Sequence, residues 1–178
     1  PLPNRKVHAK AFYVKRGHQE FVHLGTGNYN PINGKLYTDL SLFTANPQIT
    51  SDVKTFFNAL EQETAPELIL LKTAAPIRDF LVESILNEAH KKGHIILKFN
   101  HITDKVILDA LEKARKAGAK IQILVRSTLT RLWDDVNIKS IVGRYLEHAR
   151  IVAFKDKGRW KVWAASAALT PSILATRN

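Results

Sequence analysis

The chain has 178 residues, and its 27 Lys and Arg against 16 Asp and Glu give a formal net charge of +11. This charge predicts a polyanionic partner, which could be nucleic acid, a phospholipid headgroup, a nucleotide or a phosphate chain. Apolar residues make up 45%, enough for the core of one domain or two small ones, and the lack of cysteine excludes disulfide scaffolds, thiolate zinc sites and cysteine nucleophiles. Because no apolar run approaches the ~20 residues of a membrane span and no signal peptide is apparent, we expect a cytoplasmic protein and leave peripheral membrane association open.

The N-terminal third has the alternation and turns of a β-rich unit. Apolar and polar residues alternate in the manner of strands over 7–14, 21–24 and 37–43, and a glycine turn at 25–28 follows the second of these. Helical spacing of apolar residues then predicts a helix over 49–60. The polar, proline-terminated stretch 61–66 is the best candidate for an interdomain linker.

Beyond residue 66 the pattern predicts alternating strands and helices. The predicted strands are 68–71, 95–99 and 121–125, the predicted helices are 76–92 and 104–117, and 151–154 with 161–165 resemble another hairpin. This alternation predicts an α/β layered fold.

A repeat near the two ends of the chain is built around two histidines. His8 opens a His-Ala-Lys triplet and His148 opens a His-Ala-Arg triplet. Each triplet reaches a small-residue turn at the same spacing, Gly25-Thr26 in the first copy and Ala165-Ser166 in the second. Two strand–turn–strand units with one histidine each predict a two-fold arrangement in which both imidazoles face a shared cleft. That layout is typical of histidine-based phosphoryl transfer.

The residues around His8 suit chemistry on phosphate. On a strand, His8 and Lys10 would share one face, so that an imidazole nucleophile stands beside a cation that neutralises phosphoryl oxygens. The turn at 25–28 adds backbone N–H groups, the Thr26 hydroxyl and the Asn28 amide. Each signal also has an ordinary alternative, namely a solvated basic strand face, a plain glycine turn or, for His148, a surface histidine.

Weaker candidates lie elsewhere in the chain. Arg126 ends an apolar strand, where α/β folds present ligand-binding groups, and Tyr37 either stacks on a base or packs in the core. The spacing of the remaining histidines suggests no metal site, and there is no Walker-type loop.

Five segments together resemble the C-terminal catalytic region of bacterial polyphosphate kinase. They are residues 6–10 (KVHAK), 22–30 (VHLGTGNYN), 36–42 (LYTDLSL), 96–100 (ILKFN) and 140–151 (SIVGRYLEHARI). The resemblance implies a phospholipase-D-like α/β fold of two related halves, with mixed β-sheets flanked by helices. Residues 1–61 would be the C-terminal part of a truncated first half, and residues 67–178 the second half.

The same resemblance implies an activity and roles for residues. The chain would transfer the ATP γ-phosphate reversibly to inorganic polyphosphate, with His8 as the phosphorylated residue and His148 as its partner in acid/base or phosphate-orienting work. Tyr37 and Arg126 match ATP-contacting positions, and His23 matches a second histidine considered important in the family. Mg²⁺ would arrive with ATP, the full-length protein would be a homo-oligomer, and no specific nucleic-acid partner is implied.

Departures from the family pattern keep two alternatives open. The family's G-x-C after the strand-ending arginine is Ser127-Thr128-Leu129 here, and Ala168, Ser172 and Ile173 replace an Asp, an Arg and an Asn of its closing block. One alternative is a non-catalytic polyanion-binding module. The other is a phospholipase-D-type phosphodiesterase, disfavoured because the fifth residue after Lys10 is Lys15 and not an acid.

Overall fold

The computed structural model describes residues 7–176, which form two β-sheets, a short pair of strands and five helices. In chain order the elements are β1 (Ala11–Arg16), β2 (Gln19–Gly25), α1 (Pro31–Leu36), β3 (Tyr37–Thr38), β4 (Ser41–Thr44), α2 (Pro47–Glu61), α3 (Ala74–Lys91), β5 (His94–Ile102), α4 (Lys105–Lys116), β6 (Lys120–Leu129), β7 (Asn137–Lys139), β8 (Leu146–Glu147), β9 (Arg150–Asp156), β10 (Arg159–Ala165) and α5 (Pro171–Thr176). This arrangement confirms the predicted α/β class with sheets flanked by helices.

The first sheet is antiparallel, with strand order β1-β2-β4, and α2 packs against β1 and β2. The α2 helix begins where Asn46 accepts the backbone N–H groups of Gln48 and Ile49, with Pro47 in its first turn. Its apolar stripe buries Val53 and Phe56.

The second sheet has five strands in the order β10-β9-β5-β6-β7. The β5, β6 and β7 strands are parallel to one another, whereas β9 is antiparallel to both β5 and β10. The main core lies between this sheet and the helices, where Ile95 and Leu97 of β5 and Ile85 of α3 are fully buried.

The hairpins β1–β2 and β9–β10 have the same strand register. Ala11 pairs with Leu24 in the first hairpin, and Ile151 pairs with Ala164 in the second, so both partners are offset in the chain as His148 is from His8. Each turn also contains a glycine at positive φ, Gly17 at 60° and Gly158 at 84°, a backbone conformation that favours glycine. The two hairpins are therefore structural equivalents.

A two-stranded parallel pair joins the first part of the chain, which runs from β1 to α2, to the second part, which runs from α3 to α5. Tyr37 of β3 pairs with Leu146 of β8, and Thr38 pairs with Glu147. The backbone N–H groups of His148 and Ala149 then donate to the Thr38 carbonyl oxygen at 3.2 and 2.9 Å. This joint fixes the segment that carries His148 beside the segment that follows Tyr37.

Several predicted elements differ from the structure. The predicted strand 68–71 is wrong, because the Asp52 carboxylate, not a neighbouring strand, accepts the backbone N–H groups there. The predicted strand 37–43 is two strands, β3 and β4, that belong to different sheets. The predicted strand 7–14 starts only at Ala11, so His8 and Lys10 precede β1. The short helices α1 and α5 were not predicted.

Among residues 7–176, no helix has both the length and the apolarity that crossing a membrane requires. The predicted halves include residues 1–6 and 177–178, which lie outside the described residues. Residues 177–178 are Arg177 and Asn178, the end of the altered closing block.

Candidate functional site

The centre of the candidate site is a histidine–carboxylate pair that spans the two parts of the chain. The His148 Nδ1 atom lies 2.8 Å from Oδ1 of Asp39, and the His148 side chain is nearly fully buried. The β3–β8 pair brings the two together, since Asp39 directly follows β3 and His148 directly follows β8.

The hydrogen-bond partners of His148 assign its tautomer. Asp39 accepts the Nδ1–H, while Nη2 of Arg150 donates to Nε2 at 3.3 Å, which leaves the lone pair on Nε2. Burial lowers the pKa of His148 below its usual 6.5, and the charges of Arg150 and Arg126 add to this effect. The Asp39 carboxylate acts on the pKa in the opposite direction without reversing the shift. His148 is therefore a neutral imidazole at pH 7, able to accept a proton at Nε2.

The glycine turn after the first hairpin, residues 25–28, holds Asp39 in position. The buried Thr26 hydroxyl donates to Oδ1 of Asp39 at 2.7 Å and accepts the Leu40 backbone N–H at 2.9 Å. Any side chain at Gly27 would collide with the Asp39 carboxylate. The turn therefore requires glycine at position 27 because the carboxylate approaches its backbone so closely.

His8 lies at the equivalent place before the first hairpin. The Lys10 ammonium sits 2.8 Å from Nδ1 and 3.0 Å from Nε2 of the His8 ring and also donates to the His8 carbonyl oxygen at 2.7 Å. The Ser166 hydroxyl, which follows the second hairpin, donates to that carbonyl oxygen at 3.5 Å. Ser166 is the repeat equivalent of Thr26: each follows its own hairpin, Thr26 contacts the carboxylate that is bound to His148, and Ser166 contacts the backbone of His8.

Two arginines add positive charge to the site. Arg150 is 7% exposed, and its Nε and Nη1 atoms have no hydrogen-bond partner among the described residues. Burial lowers the pKa of Arg150, although Asp39 opposes the shift. Nη1 of Arg126 is likewise buried without a partner in the part of the chain described, and Nε of Arg126 donates to Ser127 Oγ at 3.3 Å. Buried, unpaired guanidinium N–H groups are suited to bind an anion.

An amide and a lysine of β5 support the segment around His148. When the Asn100 oxygen faces Arg150, it accepts from Nη2 at 3.0 Å, and the amide nitrogen donates to the Glu147 carbonyl oxygen at 3.3 Å. Lys98 pairs with the Glu147 carboxylate at 2.9 Å and donates to the Ala149 carbonyl oxygen at 2.9 Å. These contacts anchor the segment to the second sheet.

The structure brings together only some of the residues singled out in the sequence. Tyr37 packs its ring on that of His148, with centroids 4.9 Å apart, and the charge of Arg126 acts on the same imidazole.

His23 and Asn28 lie elsewhere. The His23 ring packs on Phe43 with centroids 4.3 Å apart, and its Nδ1 lies 2.7 Å from the Tyr29 hydroxyl. Asn28 is exposed, and its backbone carbonyl oxygen accepts from the Asn30 N–H at 2.8 Å. A supporting role for the Asn28 amide therefore stays a prediction.

Sequence reasoning did not predict Asp39 as a site residue; it named Ser166 only as part of a turn, and it assigned the Thr26 hydroxyl to phosphate and not to a carboxylate. A signal for Ser166 was present, since it takes the place in the second unit of the repeat that Thr26 takes in the first. Asp39 gave no such signal, because its partner His148 is 109 residues away in the chain.

No group of three or more His, Asp and Glu side chains within residues 7–176 is arranged to hold a metal ion. Asp39, the carboxylate at the centre of the site, already accepts hydrogen bonds from His148 and Thr26. Mg²⁺ remains a prediction, as part of the nucleotide substrate.

Two equivalent hairpins, each with a histidine and a cation, on an α/β scaffold define a protein of the phospholipase-D-like class. The chain belongs to the polyphosphate kinase family: residues 70–177 match the family model "Polyphosphate kinase C-terminal domain 2", and residues 1–66 match "Polyphosphate kinase C-terminal domain 1".

The chain is also similar to individual polyphosphate kinases. A polyphosphate kinase from Staphylococcus haemolyticus is 40% identical over 183 residues, which cover 93% of this chain and 25% of the relative. One from Helicobacter pylori strain J99 is 37% identical and covers 97% of this chain and 27% of the relative. The crystal structure of polyphosphate kinase from Porphyromonas gingivalis superposes with a TM-score of 0.85 at 29% identity, covering 98% of this chain and 30% of that one. The chain thus spans about a quarter of the length of the curated relatives it matches.

Proposed function

We propose that this chain carries a phosphotransfer site that moves the γ-phosphate of ATP reversibly to inorganic polyphosphate through a phosphohistidine at His8. The observation that carries the proposal is the exchange between the hairpins, in which Thr26 holds the carboxylate on His148 and Ser166 contacts the backbone of His8. In this proposal the two histidines of the equivalent hairpins act on one phosphate-binding site. Family membership supports the choice of substrates.

In the first step, a lone pair of the His8 ring forms a bond to the γ-phosphorus while the bond from that phosphorus to the bridging oxygen breaks. ADP leaves with the electron pair, and the other ring nitrogen keeps its proton, so the product is a phosphorylated imidazolium. The Lys10 ammonium, which lies within 3.0 Å of both ring nitrogens, donates to the unprotonated one before ATP binds and transfers that hydrogen bond to a phosphoryl oxygen. Arg126 and Arg150 neutralise the remaining charge.

In the second step, a terminal oxygen of polyphosphate attacks the phosphoryl group, and the His8 nitrogen leaves with its electron pair. Neutral His148 accepts at Nε2 the proton of the attacking phosphate and passes it to the new chain end. Asp39 keeps the His148 proton on Nδ1, so Nε2 carries the lone pair, and the Arg150 N–H that donates to Nε2 gives way to the proton of the attacking phosphate. Tyr37, which packs on His148, keeps the imidazole in this orientation. The reverse sequence makes ATP.

Mg²⁺ enters this proposal only as part of the substrate MgATP, where it shields the β- and γ-phosphates. Cytoplasmic location and homo-oligomerisation of the full-length protein stay predictions.

Labelling with γ-³²P-ATP tests the proposal directly. We expect label that survives base and is lost in acid, and we expect the His8→Ala variant to lose it. The matched control is His18→Ala, since His18 is an exposed residue of the β1–β2 turn. Label that persists in His8→Ala would refute His8 as the acceptor. If ATP gives no label, labelled polyphosphate is the second donor, because the reaction is reversible.

One observation favours a second candidate, a polyanion-binding module without catalysis: the Lys10 ammonium lies against both His8 ring nitrogens and so competes for the nucleophilic lone pair. This candidate predicts no labelling from either donor, together with polyphosphate binding that weakens steeply with salt. The two candidates therefore differ in the labelling experiment itself.

A further inference from the structure

A buried amide lies beside the two arginines of the candidate site. Asn100, near the end of β5, is only 4% exposed. The register of β5 with β6 shifts at this point, so that Arg126 and Ser127 of β6 lie opposite Asn100 alone. Such a bulge redirects side chains and is common beside functional sites. Asn100 lies in the wall of a small cavity that Arg126 and Lys98 also line.

Both ends of the Asn100 amide are used. Its oxygen accepts from Nη2 of Arg150 at 3.0 Å, and its nitrogen donates to the Glu147 carbonyl oxygen at 3.3 Å. A carboxylate of the same size has no hydrogen to donate to that carbonyl oxygen, whereas an amide satisfies both partners. The Asn100 side chain therefore fixes the position of the Arg150 guanidinium relative to the segment before β9.

The acceptor that Asn100 offers to Arg150 carries no charge. A buried arginine is ordinarily paired with a carboxylate, as Arg78 of α3 is with the buried Asp104 at 2.7 Å. In the described part of the chain, Arg150 forms no ion pair with a carboxylate, and two of its nitrogens have no acceptor. The Asp39 carboxylate acts on Arg150 electrostatically but makes its hydrogen bonds elsewhere. The Arg150 charge is thus held in place without a direct counter-ion.

We propose that Asn100 is a positioning residue for phosphate binding, which holds Arg150 through an uncharged acceptor and so leaves its positive charge available to the phosphate groups of the substrate. An aspartate in this place would form an ion pair with Arg150 and compensate that charge. Because the site is buried, an uncompensated charge acts strongly on an incoming phosphate. The inference rests on the proposed function, which identifies these phosphate groups as those of ATP and polyphosphate.

The Asn100→Asp variant tests this role, because it keeps the size of the side chain and adds a negative charge. Calorimetric titration of the whole chain with sodium tripolyphosphate at pH 8, where an aspartate is ionised, measures the affinity. We expect binding about tenfold weaker than in the parent, which corresponds to one charge-assisted hydrogen bond. Asn87→Asp is the matched control: Asn87 is an exposed residue of α3, so the same change in net charge should leave the affinity within about twofold.

The Asn100→Ala variant separates the effect of charge from that of structure. It removes the same amide but adds no carboxylate, so the Arg150 charge stays uncompensated. Its affinity for tripolyphosphate should therefore remain within about threefold of the parent.

A magnetic-resonance titration of the His148 ring gives a readout that a purely structural role would not change. In the parent, burial lowers the pKa of His148, and the charges of Arg150 and Arg126 add to this effect while Asp39 opposes it. Asn100→Asp should raise the pKa of His148, because the new carboxylate offsets the Arg150 charge. Asn100→Ala should leave it near the parent value.

Equal weakening by Asn100→Asp and Asn100→Ala would overturn the proposal, since the amide would then serve the structure alone. Parent-like affinity in Asn100→Asp, or a parent that binds no tripolyphosphate, would overturn it as well. If circular dichroism shows that Asn100→Asp does not fold, Arg150→Gln removes the same charge, and an unchanged affinity in that variant would refute the role of the charge. None of these measurements requires phosphoryl transfer, so they are decided separately from the labelling of His8 that tests the proposed function.

Discussion

At the scale of single residues, Asp39 organises the candidate site. One carboxylate oxygen accepts from both the His148 ring and the Thr26 hydroxyl, so it links the segment before the second hairpin to the glycine turn after the first. A carboxylate in this place fixes the imidazole tautomer and stabilises the protonated form when the imidazole accepts a proton.

Asp39→Asn keeps the size of the side chain but removes its charge, so we expect phosphoryl transfer to polyphosphate to slow by about 100-fold. Single-turnover conversion of the labelled phosphohistidine measures this step. Asp79→Asn, which changes an exposed carboxylate of α3, should leave the rate unchanged. A rate for Asp39→Asn within twofold of the parent would show that the carboxylate has no part in the transfer.

The lowered pKa of His148 also predicts how stability depends on pH. The unfolded chain binds a proton at this imidazole near pH 6.5, while the folded chain binds it only at lower pH because the ring is buried. This contribution to the free energy of unfolding is therefore complete above pH 6.5 and is lost as the pH falls through the folded-state pKa.

Urea titrations between pH 8 and pH 5 measure this dependence. His148→Gln should show a smaller loss of stability over that range than the parent, since it has no imidazole to protonate. Identical pH profiles for the two proteins would contradict the expected linkage.

At the scale of elements, Asp52 shows how one side chain replaces a strand. Its buried carboxylate accepts backbone N–H groups from Ile69, Leu70 and Leu71 at 2.7 to 2.9 Å. Burial alone would raise the pKa of Asp52, but these hydrogen bonds and the charge of Lys72 bring it below 3.8. The carboxylate thus fixes the connection between α2 and α3 to the helix of the first sheet.

Asp52→Asn puts an amide where three donors meet one carboxylate, so at least one backbone N–H loses its acceptor. We expect the free energy of unfolding to fall by about 2 kcal/mol. Chemical denaturation measures the change, and Asp79→Asn again serves as the exposed control. An unchanged midpoint and slope would mean that water satisfies these N–H groups equally well.

The elements that the sequence predicted well are those defined by local patterns. Strand 95–99, helix 104–117 and the second hairpin lie within or close to β5, α4 and the β9–β10 pair, because their periodicity and turns need no distant partner. The segment 68–71 has the same apolar character as a strand, but its partner is the carboxylate of Asp52 on the preceding helix. The break of 37–43 into two strands likewise depends on β8, which lies far away in the chain.

The candidate site follows the same division. The repeat predicted that His8 and His148 are equivalents, and the resemblance pointed to Tyr37 beside them. Side-chain geometry was needed to find that Asp39 pairs with His148 and that His23 packs on Phe43 of the first sheet instead. Neither fact leaves a short-range trace in the sequence.

At the scale of the whole molecule, the two parts of the chain meet at the β3–β8 pair and at the contacts of Asp39 and Ser166. The site therefore exists only when both parts are folded and joined. His8 and His148 lie in different parts, so either part alone would lack one of the two histidines that the proposed mechanism uses.

The three tryptophans, Trp133, Trp160 and Trp163, all lie in the second part, and Trp163 packs into its core beside Phe80. Intrinsic tryptophan fluorescence consequently does not report unfolding of the first hairpin or of α2. Fluorescence-detected melting would report unfolding of the second part only, whereas the proposed phosphotransfer needs both parts. The Phe57→Trp variant would place a tryptophan on α2, so that fluorescence would also report unfolding of the first part.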